Sequence, residues 1–536
     1  MGRVILEFFL KVIIFLFLEQ YQMSERDRPQ HQDKKTNITR VDKNILTPEF
    51  IKKCSKSFLD RDQYTLAKNA VTGTRVEKIS LERTQVQGIN HVFSKTIETL
   101  PEITDQENSG RCWLFAFLNT LRVPMIKKYH LEDDFEFSQT YPFFWDKFEK
   151  CYCFLQRMVE TRDMTLDCEL VRHLVKEPQQ DGGDWYMFVD IVEKYGLIPK
   201  SQMNETYQSE HSSSLDETLN QRLHDYAYRI RKFSPDTKPF EIESYLETCM
   251  LEIYRILVIF LGEPPQKFIW ERYQHKDHLK KSKKTKHSKN SKRKKSKKSK
   301  KSKKSRIDLE DSKDRQDGGG GKKVYKTSKE ITPLEFYQKW IPTQLNNLVA
   351  LIHYPSRDKK MWTQYNIKYS ENIYGGRNTN YLNVPLDEIV QASKKSIDGG
   401  NPVWFGGDVS YHMSNKHGIM DPDSYNTRLL FGFESSRIEK GERLRYHGTS
   451  PNHAMVINGY NMDTKNREIN RWRVENSWGD DVGDDGYYTM TQKWFDEYLF
   501  EIVVDRKYVS KRVLDVAKRK PVVLPPWDPF GGLAKS

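Results

Sequence analysis

The sequence predicts an α+β fold of two lobes, and three observations carry that reading. Apolar residues recur at helical spacing in several places between Leu46 and His275. After Val324, short runs of β-branched and aromatic residues take over, as expected of buried strands. Between the halves lies a lysine–serine stretch with almost no apolar side chains, which cannot form a core. The expected organisation is an N-terminal apolar segment and flexible tail over 1–44, then a helical lobe over 45–275. A disordered Lys-rich insertion over 276–323, a strand-rich lobe over 324–523 and a C-terminal arm over 524–536 complete it.

Val4 to Leu18 is mostly apolar but is interrupted by Glu7 and Lys11. Its 15 residues fall short of the ~20 that span a bilayer, and no small-residue cleavage site follows. Two readings stay open: translation beginning at Met23, or a weak anchor or uncleaved signal. A membrane-spanning protein is not expected. Within the helical lobe the spacing predicts a helix over 185–195, where Trp185, Phe188, Val189, Val192 and Tyr195 share a face. Asp184 can cap its start, and Gly196 and Pro199 close it. Strands are expected at Val403-Trp404-Phe405, Ala454-Met455-Val456-Ile457 and Ile502-Val503-Val504.

Charge is local. Lys276 to Arg306 carries 18 Lys/Arg against one Asp, a net +17, whereas the whole chain is +14. The remainder is therefore −3, and the pI of about 9.1 describes an insertion rather than the rest of the chain. Core-like sequence flanks the run on both sides, Phe268-Ile269-Trp270 before and Ile331-Thr332-Pro333-Leu334-Glu335-Phe336-Tyr337 after, which reads as a surface-loop insertion. The six cysteines are sparse and irregular, unlike a secreted disulfide framework. No second Cys/His pair accompanies Cys151 and Cys153 at zinc spacing, so no metal site and no cofactor are expected.

The chemistry gathers in three segments. Gln106-Glu107-Asn108-Ser109-Gly110-Arg111-Cys112-Trp113 is a polar turn leading into an apolar helix expected to stop before Pro124. Cys112 would then sit at a helix N-terminus, where the dipole favours the nucleophilic thiolate. The Gln106 amide and the Cys112 backbone N–H would form an oxyanion hole. On this segment alone, a buried structural cysteine is the alternative. In the second segment His453 precedes the apolar run Ala454-Met455-Val456-Ile457. In the third, Val474-Glu475-Asn476-Ser477-Trp478-Gly479, an Asn amide oxygen can fix the histidine tautomer without adding a full charge. A thiolate needs an imidazolium beside it, both to hold it and to protonate a leaving amine. Trp478 is placed to shield the Asn–His bond. The order Gln106, Cys112, His453, Asn476 is far more specific than any one of these signals.

On these residues the sequence resembles the papain superfamily of cysteine peptidases and, within it, the bleomycin hydrolase family. Further matching stretches are Phe137-Ser138-Gln139, Asp181-Gly182-Gly183-Asp184-Trp185, Val192-Glu193-Lys194-Tyr195-Gly196, Val403-Trp404-Phe405-Gly406 and Trp527-Asp528-Pro529. Two departures stand out. Ser109 replaces the first cysteine of the papain signature, consistent with a reducing compartment. His453 and Asn476 lie 341 and 364 residues past Cys112, against ~130–150 in papain, so large insertions elaborate the lobes.

The resemblance implies a cytoplasmic cysteine aminopeptidase that works through a Cys-His-Asn triad and a covalent thioester on peptides with a free N-terminus. It implies a homohexamer with active sites facing a central channel. It assigns Gly182 and Gly183 to backbone pairing with substrate, and Trp478 joins them beside the site. It also implies that the C-terminal arm lies in the cleft. Trimming of Lys535 and Ser536 would leave Ala534 to meet the substrate amine with its carboxylate. The rival reading is a nucleic-acid-binding protein on a peptidase scaffold, its Lys276–Arg306 run binding nucleic acid or another polyanion nonspecifically. That run contains no aromatic residue for base stacking. A nuclear-localisation signal, with a nuclear fraction of the protein, or a solvated loop are its other readings.

Overall fold

Strands buried on both faces explain the unbroken apolar runs of the second half. The computed structural model describes residues 45–99, 101–275, 323–433 and 438–533. The N-terminal segment 1–44, the Lys-rich insertion through residue 322, and Ala534 lie outside the described residues. The chain divides into two units, 1–73 and 74–536. The described part of the first is two helices, Pro48–Leu59 and Asp62–Gly73, neither burying a residue. Thr47 caps the former by accepting from the Phe50 N–H at 3.2 Å.

The second unit holds a large mixed sheet. Its strands, with the separate pair β2 and β3 included in the numbering, are β1 (Lys95–Thr96), β2 (Phe268–His275), β3 (Lys323–Ile331), β4 (Leu348–Ile352), β5 (Thr363–Ile367), β6 (Asn380–Asn383) and β7 (Val403–Gly407). There follow β8 (Met413–Ser414), β9 (Ile419–Met420), β10 (His453–Met462), β11 (Ile469–Glu475), β12 (Tyr487–Thr491), β13 (Leu499–Asp505) and β14 (Val522–Leu524). The order across the sheet is β14-β5-β6-β4-β13-β7-β10-β11-β12-β9-β8, with β1 beside the far end of β10. The strands expected from sequence are its centre, antiparallel β13, β7 and β10. β2 and β3 pair antiparallel, His275 opposite Lys323, so the residues flanking the insertion are partners.

Alternation sorts the central side chains between two cores. Trp404, Ala454, Val456 and Val503 face the helical lobe, while Phe405, Met455, Ile457, Ile502 and Val504 face a second cluster with Ile389, Ala392 and Ile397 of the Leu386–Asp398 helix. The helical lobe is built from Cys112–Tyr129, Thr140–Glu160, Trp185–Tyr195, Ser213–Ile230 and Pro239–Leu261. The 185–195 helix has the expected bounds. Asp184 accepts from the Tyr186 and Met187 N–H groups, and Gly196 ends it at φ 82°.

One boundary differs from expectation. The helix begun at Cys112 runs through Pro124 to Tyr129 and ends on His130 in the left-handed region, φ 55°. Pro124 leaves the Thr120 carbonyl without its helical donor, a cost of about 3 kcal/mol. Val123, Met125 and Ile126 are buried around it. At roughly 1.5–3 kcal/mol per buried side chain, packing outweighs that cost.

This helix meets the sheet through aromatic rings. Phe117 stacks on Trp404 of β7 at 4.5 Å between centroids and lies 4.7 Å from Trp185 and 5.0 Å from Phe188. Phe117→Ala should therefore cost about 3–5 kcal/mol of stability, measured by chemical denaturation. An unchanged midpoint would show that the ring stack does not anchor the helix.

Candidate active site

The turn before Cys112 is shaped by side chains from far along the chain. The Ser109 hydroxyl donates to the Gln106 carbonyl at 2.6 Å, and the Gln106 side-chain amide donates to the Ser109 carbonyl at 2.7 Å. The Gly110 N–H donates to Asp181 at 2.9 Å, and the Trp113 indole donates to the Asp181 carbonyl at 2.8 Å. A Cβ on Gly110 would come within 2.6 Å of the Asp181 Cβ, so the close approach demands glycine. Lys147, fully buried, pairs with Asp181 at 2.6 Å and also with Asp216. That ammonium holds the Asp181 carboxyl well below the usual carboxylate range. Arg111, also buried, pairs with Glu205 at 2.7 Å and lies over the Phe115 and Phe143 rings.

His453 opens β10 and Asn476 follows β11, its antiparallel neighbour. The His453 Nε2 lies 2.8 Å from the Asn476 Oδ1. With Nε2–H donating to that oxygen, Nδ1 is the nitrogen left for chemistry. The Asn476 oxygen also accepts from the Ser477 N–H at 2.8 Å, which fixes the amide orientation. The Trp478 ring, half-buried, lies 4.7 Å from the imidazole and covers it. The Gln106 segment is stitched to the same loop. Its N–H donates to the Ser477 carbonyl at 2.9 Å, and the Ser477 hydroxyl donates to Gln106 Oε1 at 2.8 Å. Cys112 is 4% exposed, and the Ala454 backbone amide, next to His453, favours its thiolate form. Gln106, Cys112, His453, Asn476 and Trp478 thus converge on one locus.

Electrostatics here runs against the expectation of a readily formed thiolate. Burial pushes the Cys112 thiol up to about 11, and the backbone amides of Ala454, Trp113 and Cys112 offset this only in part. Burial likewise pushes His453 down to about 4 despite the Asn476 hydrogen bond. The helix N-terminus acts in the anticipated direction, but desolvation is larger. Burial thus biases each group, taken singly, toward its neutral form, and thiol with neutral imidazole carries the same single proton as the ion pair.

Gly182 and Gly183 are both buried beside this turn. Lys150 donates to the Gly182 carbonyl at 2.6 Å and the Gln180 carbonyl at 3.0 Å. A Cβ on Gly183 would come within 2.4 Å of the Trp113 ring, so packing requires that glycine whatever else it does. The C-terminal arm is anchored by contacts of its own. Asp528 pairs with Lys359 at 3.0 Å, and Phe530 packs among Tyr354, Tyr365 and Tyr381. Gly532 abuts Ser450 and Pro451, just ahead of His453. Leu533, the last described residue, is buried.

Sequence reasoning passed over Lys147 and Lys150. Both lie on the Thr140–Glu160 helix, and no local signal marks them as buried ties. Among the described residues no group of three or more His, Cys, Asp or Glu side chains is placed to hold a metal, all six cysteines are free, and no helix is long and apolar enough to cross a membrane.

Comparison with known proteins gives the family to which the chain is similar. A profile of the peptidase C1-like family matches residues 45–300 and 320–531. The chain is 38% identical to bleomycin hydrolase of Homo sapiens over 482 residues, covering 88% of this chain and 95% of that protein. It is 36% identical to aminopeptidase C of Listeria monocytogenes, covering 91% and 99% respectively. Among solved structures, PepW from Lactobacillus rhamnosis matches with a TM-score of 0.79 at 32% identity, covering 91% of this chain and 99% of that one.

The Lys147 pairing yields a stability test. Lys147→Met removes the cation shared by the buried Asp181 and the half-buried Asp216 and should cost about 3–5 kcal/mol. Adding Asp216→Asn should recover part of that loss. A single variant as stable as the parent in urea denaturation would mean the network does not hold the turn.

Proposed function

Since the chain belongs to the peptidase C1-like family and is a cysteine-type aminopeptidase of the bleomycin hydrolase and aminopeptidase C kind, we propose that Cys112 is its nucleophile, His453 its general base and acid, and Asn476 the residue that orients the imidazole. The observation that carries this reading is the 2.8 Å contact from His453 Nε2 to Asn476, which leaves Nδ1 free on a histidine one residue from the amide beside the Cys112 sulfur. Proton transfer from thiol to imidazole converts a neutral pair into a neutral ion pair, so no net charge enters the buried site. The thiolate attacks the scissile carbonyl and forms a C–S bond. The Cys112 backbone N–H and the Gln106 side-chain amide receive the oxyanion. His453 gives its proton to the departing amine, leaving a thioester, and then takes one from the water that hydrolyses it. Gln106 Nε2 spends one hydrogen on Ser109 and keeps the other for the oxyanion.

Substrates in this reading are peptides with a free N-terminus, and the arm is the specificity element. The approach of Gly532 to Ser450 and Pro451 supports an arm that ends beside the histidine, where the terminal carboxylate meets the substrate ammonium. Gly182 and Gly183 pair with the substrate backbone and Trp478 shields the triad. A homohexamer, a cytoplasmic location with a nuclear fraction, and nonspecific polyanion binding by Lys276–Arg306 complete the proposal. Sedimentation tests the first, imaging the second and salt-dependent retention on polyanions the third.

Cys112→Ala and His453→Ala should abolish release of N-terminal residues while leaving the fold intact, and Asn476→Ala should lower kcat by about 10–100-fold. Normal turnover by Cys112→Ala would overturn the mechanism. Truncation after Asp528 should let the enzyme cut N-acetylated peptides. If the truncated form still required a free N-terminus, the arm would not set specificity. The pH profile is a further check. The competent pair carries one proton. A second is added only as pH falls toward about 4, and the last is lost only near 11. kcat/KM should therefore be flat across neutral pH, with an acid limb below the ordinary histidine value of about 6.5. An acid midpoint at or above that value would contradict a buried neutral histidine.

A further inference from the structure

We propose that Asp408 is the positioning residue that aims His453 and at the same time builds the seat of the C-terminal arm. Asp408 follows β7, is 2% exposed, and spends both carboxylate oxygens on its own segment and on the one that delivers the histidine. Oδ2 accepts from the Thr449 hydroxyl at 2.6 Å and the Ser450 N–H at 3.2 Å. Oδ1 accepts from the Asn452 side-chain amide at 2.8 Å and the Ser410 N–H at 3.0 Å. Asn452 closes the clamp. Its Oδ1 accepts from the Val409 N–H at 3.0 Å, and its own N–H donates to the Gly407 carbonyl at 2.9 Å.

The need for such a clamp follows from the register. His453 pairs with Gly407 as the first residue of β10, and the Asn452 N–H bond to the Gly407 carbonyl is the last backbone bond that ties it to β7 on the entering side. Residues 449–451, which lead into it, are tied to β7's end through Asp408, and a tilt there moves the imidazole relative to both Asn476 and the sulfur. Hydrogen bonds to a carboxylate are stronger than those between neutral groups, and a buried carboxylate must keep its donors or pay a desolvation cost, so the clamp is stiff. The same clamped residues meet the arm. The position a Gly532 Cβ would take lies 2.9 Å from Ser450 Oγ and 3.1 Å from Pro451. One carboxylate thus sets the height of the base and the height of the arm together.

The role rests on His453 being the base, and the test separates the two ideas. Asp408→Asn, Thr449→Val and Thr449→Ser would be purified as full chains, with active sites counted by a thiol-directed irreversible inhibitor. Asp408→Asn keeps the shape but replaces one acceptor oxygen by a donor, so it cannot serve both pairs of donors. The expected result is a fall in kcat per titrated site of about 10–100-fold, with a rise in cleavage of N-acetylated relative to unblocked peptide. Thr449→Val should move both readouts in the same direction by less, and Thr449→Ser, which keeps the hydroxyl, should restore them. Should Asp408→Asn fail to fold, the Thr449 pair decides. Parental kcat and blocked-to-unblocked ratio in Thr449→Val, or equal impairment in Thr449→Ser, would overturn the role. Full activity of His453→Ala would instead remove its premise.

Discussion

The first turn of the Cys112–Tyr129 helix must rest on the face of the sheet that carries Ala454, and the site depends on that contact. Phe117 stacked on Trp404 fixes the helix one and a half turns in, which leaves Cys112 against the strand whose first residue is His453. The two groups come from opposite ends of the chain, so neither lobe holds a complete site. Aromatic stacking suits this role because rings have few rotamers and bury large areas, so the joint is both strong and stiff.

Around that joint the protein places charged side chains, most of them buried. Lys147, Asp181 and Asp216 tie the nucleophile turn, Arg111 and Glu205 brace it, and Asp408 holds the histidine segment. Taking such groups out of water is costly, and a buried ion pair is weak evidence of stability by itself. What these pairs supply is direction. Asp181 accepts from Gly110 with its carboxylate and from Trp113 with its backbone carbonyl, so it sets both sides of Cys112. A purely apolar contact of the same area would not distinguish one turn geometry from another.

Burial also weighs on the charge of the reacting groups. An exposed cysteine at a helix start would lean toward thiolate, but this one is enclosed, with His453 enclosed beside the same strand. Each charge alone is disfavoured, and only their joint appearance avoids a net charge in the interior. Trp478 covers the imidazole, and Gly183 packs against the ring of Trp113, the residue after Cys112. A site built in this way has its reactivity set by what shuts out water as much as by the reacting groups.

The sequence by itself determined what is local. The Asp184 cap and Gly196 stop, the three central strands, and the order of Gln106, Cys112, His453 and Asn476 were all legible, because capping, alternation and motif chemistry act within a few residues. The tertiary structure decided the rest. Pro124 lies inside a helix because surrounding burial outweighs a lost hydrogen bond. Lys147 and Lys150 look like surface lysines until the 179–182 loop folds over them, and Asp408 looks ordinary until residues 449–452 return to it. The thiol runs opposite to its helix-end expectation because desolvation is the sum of everything packed around a group. That sum is made of atoms tens to hundreds of residues away in sequence, and no local pattern records it.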